Sequence, residues 1–422
     1  MHEGIVVPSA VVLTHEEQLR RLAEGCPEAV PAGVVAGDPC LDELRASLPF
    51  REDYRAAWKL LPGQKLVVVS STWSSESQFG SAWDVVGHVM ATLPRDEFRV
   101  AAIVHPNVWY AHSPWQLRSW LAPLQSAGLT VLRPEGDGWK AALVAADAVV
   151  GDYGSVTFYG AALGLPTLLS GIPVDGTLAK DSPIAQLLPL LTKVDTRLPL
   201  PAQIKRAAER RHADSRIADV TAKATSVPGG SARILRALFY DKMRLPEPAE
   251  PVVVQPVELP DDGAFMAPRR SPIPPATMCT AVVEDGVVSL RRYPADLTSR
   301  ADAHLADAHL VAHACDPNER VRLQADVLVA GAGTPEHDLA AMLRAHPGCW
   351  LYALPEGTAT CLLGTPTGWR ARVTWESDDP RMSVSAAASA VYALLPDGPG
   401  AASVSLRFGD LVVPLTVEVL AH

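Results

Sequence analysis

Residues 148–164 read AVVGDYGSVTFYGAALG. The short β-branched run AVV predicts a buried strand, VTFYGAALG predicts a helix, and Gly151-Asp152-Tyr153-Gly154-Ser155 forms the turn between them. Ser155 stands where a helix N-cap is expected, and Gly154 lets the backbone approach a ligand closely. The first helical amides would then point outward with the positive end of the helix dipole, which is the outline of an anion site with Thr157 in its first turn. Asp152 would itself repel an anion, so it reads as a loop-holder that accepts bonds from nearby backbone amides. On local grounds the same residues also suit an ordinary strand-to-helix connection.

Working outward, residues 65–71 (KLVVVSS), 99–105 (RVAAIVH), 130–133 and 167–170 repeat the β-branched pattern, and amphipathic stretches at 81–93, 115–127, 139–146 and 231–243 fill the intervals as helices. Thr14-His15-Glu16-Glu17 has the spacing of a capping box ahead of a first helix. Single strands separated by single helices specify an α/β fold with a doubly wound parallel sheet. Its ligands are expected at the carboxyl ends of the strands.

Two further strand ends carry polar residues. Ser70-Ser71-Thr72-Trp73-Ser74-Ser75 places five hydroxyls around one indole: the hydroxyls can donate to phosphate oxygens, and Trp73 offers a stacking face. The competing reading is a serine-rich turn with Trp73 plugging the core. His105-Pro106-Asn107 ends the next strand, where the proline stiffens the exit and His105 can donate to a phosphate or move a proton, or else serve as a structural histidine.

The chain has 422 residues, 48% of them hydrophobic, which is enough for two or three packed cores and excludes general disorder. No apolar run approaches the roughly 18 residues that span a bilayer, and the start lacks the basic and apolar regions of a secretion signal, so a soluble cytoplasmic protein is expected. The six cysteines are scattered without a CxxC pair, which argues for free thiols over disulfides or a zinc site. Residues 1–245 hold 25 basic and 25 acidic side chains, whereas residues 246–422 hold 12 and 22 and thus carry the whole net charge of -10. An acidic second part disfavours a nucleic-acid partner.

Nine prolines fall between Leu245 and Ala276. Proline fixes φ and lacks an amide donor, so residues 246–275 read as an extended linker outside any sheet. The expected organisation is a connecting segment at 1–36, a Rossmann-like domain at 37–245, the linker, and a smaller acidic β-rich or α+β domain at 276–422. In that last part, 281–290, 370–375, 402–408 and 411–419 read as strands and 336–345 as a helix. His304, His309, His313 and Asp316 include a histidine pair at helical spacing that could hold zinc, but the stretch also reads as a strand with surface histidines. No metal and no cofactor are expected. The basic run from Lys205 to Arg216 suits a solvated helix face or contact with anionic lipid.

Taken together and in order, three segments resemble the CDP-glycerol glycerophosphotransferase family of teichoic acid polymerases. VVVSSTW is similar to its strand and "PTW" loop, HPN to its "HP" segment, and GDYGSVTFYGAALGLPTLL to its "TDYSSV" segment. Upstream, Gly37-Asp38-Pro39-Cys40-Leu41-Asp42 resembles its "G-x-PRxD" element, and the match covers about residues 10–245. The resemblance implies the two-Rossmann GT-B glycosyltransferase architecture, of which this region would be the second, donor-binding half. It implies that His105, as the catalytic candidate, and Ser155 and Thr157 contact a pyrophosphate, that Thr72, Trp73 and Asn107 shape the adjoining pocket, and that Tyr153 sets the loop around Gly154. The implied reaction is attack by an acceptor hydroxyl on the phosphorus bound to glycerol, with CMP leaving.

The chain departs from the family pattern where Ser74 and Cys40 replace arginines, and where DYGS replaces DYSS. The family also places an acceptor-side domain with a general-base histidine ahead of this region, where only nine residues precede the match. Either the start lies inside a longer reading frame or half the cleft has been lost. The expected function is therefore transferase-like binding of a nucleotide-activated polyol phosphate or sugar for cell-envelope polymer synthesis, in the cytoplasm or peripherally at the inner membrane face. The alternative is a catalytically degenerate half that serves as a nucleotide- or protein-binding scaffold, with residues 276–422 meeting a protein partner.

Overall fold

The computed structural model describes residues 5–73, 75–81, 83–171, 173, 176–266, 271–335, 339–397 and 402–420. Two short strands, β1 (Val11–Leu13) and β2 (Gly33–Val35), pair in parallel near the start. Between them the helix Glu16–Gly25 is capped by His15, whose Nδ1 accepts the Glu17 amide at 3.0 Å. The expected Thr14 capping box is thereby shifted by one residue, because the Thr14 amide is taken by the Gln18 side chain at 2.9 Å.

The main sheet has six parallel strands: β3 (Lys65–Ser71), β4 (Phe98–Val104), β5 (Thr130–Val131), β6 (Ala148–Gly151), β7 (Thr167–Leu169) and β8 (Thr192–Lys193). Their spatial order is β5-β4-β3-β6-β7-β8, the Rossmann order in which the first and fourth strands are neighbours. β3 is apolar on both faces because both are covered. Val67 and Val69 join the core with Val86, Met90 and Leu121 on one side, while Leu66 and Val68 meet Tyr54, Trp58 and Leu143 on the other. All four β3 side chains are fully buried, each contributing on the order of 2 kcal/mol of transfer free energy.

The proline-rich stretch runs back over this domain. The Val257 amide donates to Ser47 Oγ at 2.9 Å, its carbonyl accepts Tyr54 OH, and Phe265 packs edge-on against Trp58 at 4.9 Å. Phe265 also forms an antiparallel bridge with Leu132, flanked by Arg133 N to Ala264 O at 2.9 Å and Met266 N to Val131 O at 2.8 Å. The expectation of a stretch with no sheet contact is corrected at that point: residues 264–266, a proline-free interval within the stretch, have free donors and add to the edge beside β5.

The remaining strands are β9 (Thr277–Glu284), β10 (Val287–Pro294), β11 (His309–His313), β12 (Val327–Val329), β13 (Leu351–Pro355), β14 (Thr360–Gly364), β15 (Arg370–Trp375), β16 (Ala402–Phe408) and β17 (Leu411–Val419). They close into a barrel in the order β10-β16-β17-β15-β14-β13-β12-β11-β9. Residues 281–290, expected as one stretch, are split by Asp285-Gly286, whose φ angles of 49° and 75° make the two-residue hairpin between β9 and β10. The helix Val384–Leu394 fills the barrel, since Ala386, Ala387, Ala388, Ala390 and Val391 share one core with inward residues of all nine strands. Of the helix expected at 336–345, Leu339–Ala345 is helical and residues 336–338 lie outside the described residues.

Barrel and sheet meet through a buried ion pair. Arg292 donates to both Asp96 oxygens at 2.6 and 2.8 Å, beside a backbone bond from Arg95 N to Arg292 O at 2.9 Å. No helix among the described residues is long and apolar enough to cross a membrane.

Candidate functional site

The residues that follow β3, β4, β5 and β6 line one cavity of about 330 Å3. Thr72 and Trp73 come from β3, His105 and Pro106 from β4, Arg133 from β5, and Gly154 and Ser155 from the turn after β6. The cavity therefore sits at the point where strand order reverses, between loops that turn to opposite faces of the sheet.

Behind the cavity wall lies Asp152, fully buried. Its Oδ2 accepts the Thr72 amide at 2.8 Å, the Thr72 hydroxyl at 2.9 Å and the Gln78 amide at 3.0 Å, and its Oδ1 accepts the Gly154 amide at 3.1 Å. The loops after β3 and β6 are thus held by one carboxylate. With its acceptor positions filled by these donors, Asp152 orders the walls without presenting an oxygen to the cavity.

The helix Ser155–Ala162 starts one residue earlier than expected. Gly154 takes the cap position with extended φ and ψ of -81° and 166°, and no side chain caps the helix. Asp152 Oδ1 has already drawn the Gly154 amide inward, so Ser155 enters the first turn with an exposed hydroxyl at the cavity rim. Thr157 does not reach the cavity. Gly151 lacks a Cβ, and Thr157 Oγ1 occupies that space, only 2.2 Å from where a Cβ would stand. The Thr157 side chain is fully buried, and the expectation that it faces a ligand is corrected. Tyr153 is also turned inward, packing with Leu169 and Leu187.

His105 caps the helix Pro106–Ala111: its Nδ1 accepts the Asn107 amide at 3.0 Å. With Nδ1 acting as acceptor, the neutral ring carries its proton on Nε2 and can only donate from there. Partial burial pushes the His105 pKa below its ordinary value, against an opposing pull from Asp152, so the neutral form prevails at pH 7. Asn107 lines an adjoining apolar hollow of about 610 Å3 with Phe79, Leu117 and Trp120, and Trp73 is the wall the two spaces share.

Arg133 was not foreseen as a site residue. It ends the β5 run at the same sheet edge as the other loops, and a cation closing a buried strand was the signal available in the sequence. Its amide is tied to Ala264, its side chain is exposed at the cavity, and it has no ion pair among the described residues. Trp139 completes the wall. By contrast, Cys40, where the resemblance would place an arginine, supplies no charge: burial pushes its thiol up to about 11. Its neighbours do structural work. Asp38 caps a helix through the Leu41 amide at 3.1 Å, and Asp42 accepts the Gly229 and Ser231 amides at 2.7 and 3.2 Å. Ser74 lies outside the described residues.

His309 and His313 lie on strand β11 and not on a helix, which removes the i, i+4 zinc geometry. Among the described residues no group of three His, Cys, Asp or Glu is placed to hold a metal.

No protein-family model matches the chain, and no curated protein matches it. Among solved structures, a single-residue variant of the wall teichoic acid polymerase TagF aligns over 56% of this chain and 58% of its own, at 14% identity and a TM-score of 0.42. A putative UDP-N-acetylglucosamine 2-epimerase from Listeria monocytogenes aligns over 57% and 60% at 19% identity and a TM-score of 0.33. The UDP-GlcNAc 2-epimerase from Neisseria meningitidis bound to UDP-GlcNAc aligns over 56% and 62% at 13% identity and a TM-score of 0.35. The chain spans 58% of the polymerase's length.

Proposed function

We propose that the chain binds a nucleotide-diphosphate-activated polyol or sugar in the cavity at the β3/β6 reversal, as the donor-side half of a GT-B-like transferase. The observation that carries this reading is the meeting of Thr72, His105, Arg133 and Ser155 on one cavity from four different strand ends. Three of them offer donors to an oxyanion, namely the Nε2–H of His105, the Arg133 guanidinium, and the Ser155 hydroxyl with the first amides of its helix, while Thr72, whose amide and hydroxyl both donate to Asp152, shapes the wall. Phosphoryl transfer depends mainly on positioning and on charge stabilisation, which such a donor set supplies.

A second reading, a binding scaffold without turnover, is favoured by the His105 geometry. A ring that accepts at Nδ1 and carries its proton on Nε2 has no free lone pair, so it is a hydrogen-bond donor and not a general base. No carboxylate lines the cavity among the described residues. Activation of an acceptor hydroxyl is therefore assigned to a group outside this cavity, as in the GT-B arrangement where another domain faces the donor.

Calorimetry of the full chain with CDP-glycerol, CDP-ribitol, UDP-sugars and CMP tests the proposal. Binding of at least one, weakened by His105→Ala and by Arg133→Gln, is expected. Absence of heat for all of them with folded protein overturns it.

A further inference from the structure

A second cavity, of about 660 Å3, lies at the opposite edge of the sheet, between the two domains. One wall is the amino-terminal edge of β3 and β4, with Gln64, Arg95 and Asp96. The other is the mouth of the barrel, where the parallel strands β11, β12 and β13 end at His313, Val329 and Pro355. A hollow of about 320 Å3 adjoins it past Arg95 and reaches Lys59 and Arg99.

The charges of this cleft do not balance. Among the described residues, five basic side chains line the two spaces, and the single carboxylate lining them, Asp96, is committed to Arg292 through two hydrogen bonds. Lys59 pairs with Asp262 at 2.8 Å and Arg381 with Asp379 at 2.7 Å. Arg99 donates only to neutral oxygens, the carbonyls of Trp58 and Lys59 and the Thr130 hydroxyl. The Arg95 side chain has no hydrogen-bond or ion-pair partner among the described residues. Two uncompensated guanidinium groups thus share one concave space in a chain of net charge -10. Low-dielectric walls focus such a field into the cleft.

The backbone that carries Arg95 is fixed in place. The Arg95 amide donates to Arg292 O at 2.9 Å, and its carbonyl accepts Gln64 Nε2 at 3.1 Å, so both domains set its position. His313 Nδ1 accepts the Cys315 amide at 3.1 Å, which leaves Nε2–H to donate at the barrel rim. The Thr277 and Ser385 hydroxyls line the same space.

We propose that this interdomain cleft binds a small polyanionic metabolite carrying clustered carboxylates or phosphates, with Arg95 as its principal contact. The cleft's volume suits a small molecule, and guanidinium groups match both kinds of oxyanion in paired hydrogen bonds. The proposal is independent of the nucleotide reading, which concerns the other sheet edge.

The test is calorimetry on the full chain with citrate and with inorganic pyrophosphate, at low and at high salt. Saturable binding of at least one anion is expected, weaker at high salt, with Arg95→Gln reducing affinity about tenfold and Arg95→Glu abolishing it. His105→Ala should leave that component unchanged, which separates it from binding in the first cavity. Citrate alone binding assigns carboxylates, and pyrophosphate alone assigns phosphates. Since the Arg95 side chain has no partner among the described residues, Arg95→Gln should melt at the wild-type temperature, and His313→Gln gives a second variant on the barrel side. No binding of either anion, or wild-type affinity in Arg95→Gln, overturns the proposal.

Discussion

Asp152 accepts both the backbone amide and the hydroxyl of Thr72, at 2.8 and 2.9 Å, across the reversal in strand order. The end of β6 and the end of β3 are 80 residues apart in sequence and are joined by this one carboxylate. Replacing it with alanine strands the amides of Thr72, Gln78 and Gly154 in a buried site. An unmade bond of this kind costs about 1–3 kcal/mol per donor before relaxation, so Asp152→Ala should lose about 3 kcal/mol or more of stability. Asp152→Asn keeps one acceptor oxygen and should lose less. Urea unfolding of the three proteins measures this, and an Asp152→Ala midpoint equal to wild type would refute the hub role.

Gly154→Ala probes the same wall by volume. Its φ of -81° suits any residue, so the penalty is steric: an added Cβ would stand 2.7 Å from Thr72 Cγ2. Thr72 must retreat from the cavity, at a cost of about 1–3 kcal/mol. The expected result is a small drop in melting temperature with a larger drop in nucleotide affinity by calorimetry. A variant that binds as wild type does would mean that Thr72 is not a contact.

His105 should be found by 15N NMR as the Nε2–H tautomer at pH 7, with a titration midpoint below about 6.5, the unperturbed histidine value. The sign of its linkage follows from burial, which lowers the folded pKa against the pull of Asp152. The neutral ring's contribution to stability is complete above the unfolded pKa. It is lost as pH falls through the folded pKa, because the unfolded chain takes up the proton first. Protonation also requires Nδ1 to release the Asn107 amide. His105→Ala should therefore flatten the decline of stability between pH 7 and 5 relative to wild type. An Nδ1–H signal would sink this assignment.

How far sequence reasoning reached depended on whether a residue's surroundings left a mark in the pattern. β3, β4 and β6 were legible because strands buried on both faces are continuously apolar, and Thr72, His105 and Ser155 followed as the polar residues ending or leaving those runs. The helix Val384–Leu394 was not legible: enclosed by the barrel, it is small and apolar all round, with no stripe to give a helical period. Thr157 shows the reverse failure. Its spacing placed it in the first turn of the helix, but Gly151, the fourth and last residue of β6, left a hole that its hydroxyl fills. Arg133 left a mark only as the cation ending its strand; the bond that ties its backbone to the cavity edge goes to Ala264, 131 residues away within the proline-rich stretch.

The pair formed by Asp96 and Arg292 decides whether sheet and barrel unfold as one body. Both side chains are almost fully removed from water, with 4% and 9% of each residue exposed. Arg292 completes its bonding through Arg381 O at 2.8 Å and lies 5.0 Å from the Phe408 ring centre. Removing one partner leaves an uncompensated buried charge, so Asp96→Ala and Arg292→Met should each cost about 3–5 kcal/mol. The double variant removes both charges together and should cost less than the sum of the two, leaving a coupling energy of about 2 kcal/mol or more. Because the pair bridges the domains, Asp96→Ala should also separate one unfolding transition into two, seen as divergent denaturation curves by tryptophan fluorescence and far-ultraviolet circular dichroism. Additive single-variant costs together with a single shared transition would show that the domains are held by their apolar contacts and not by this ion pair.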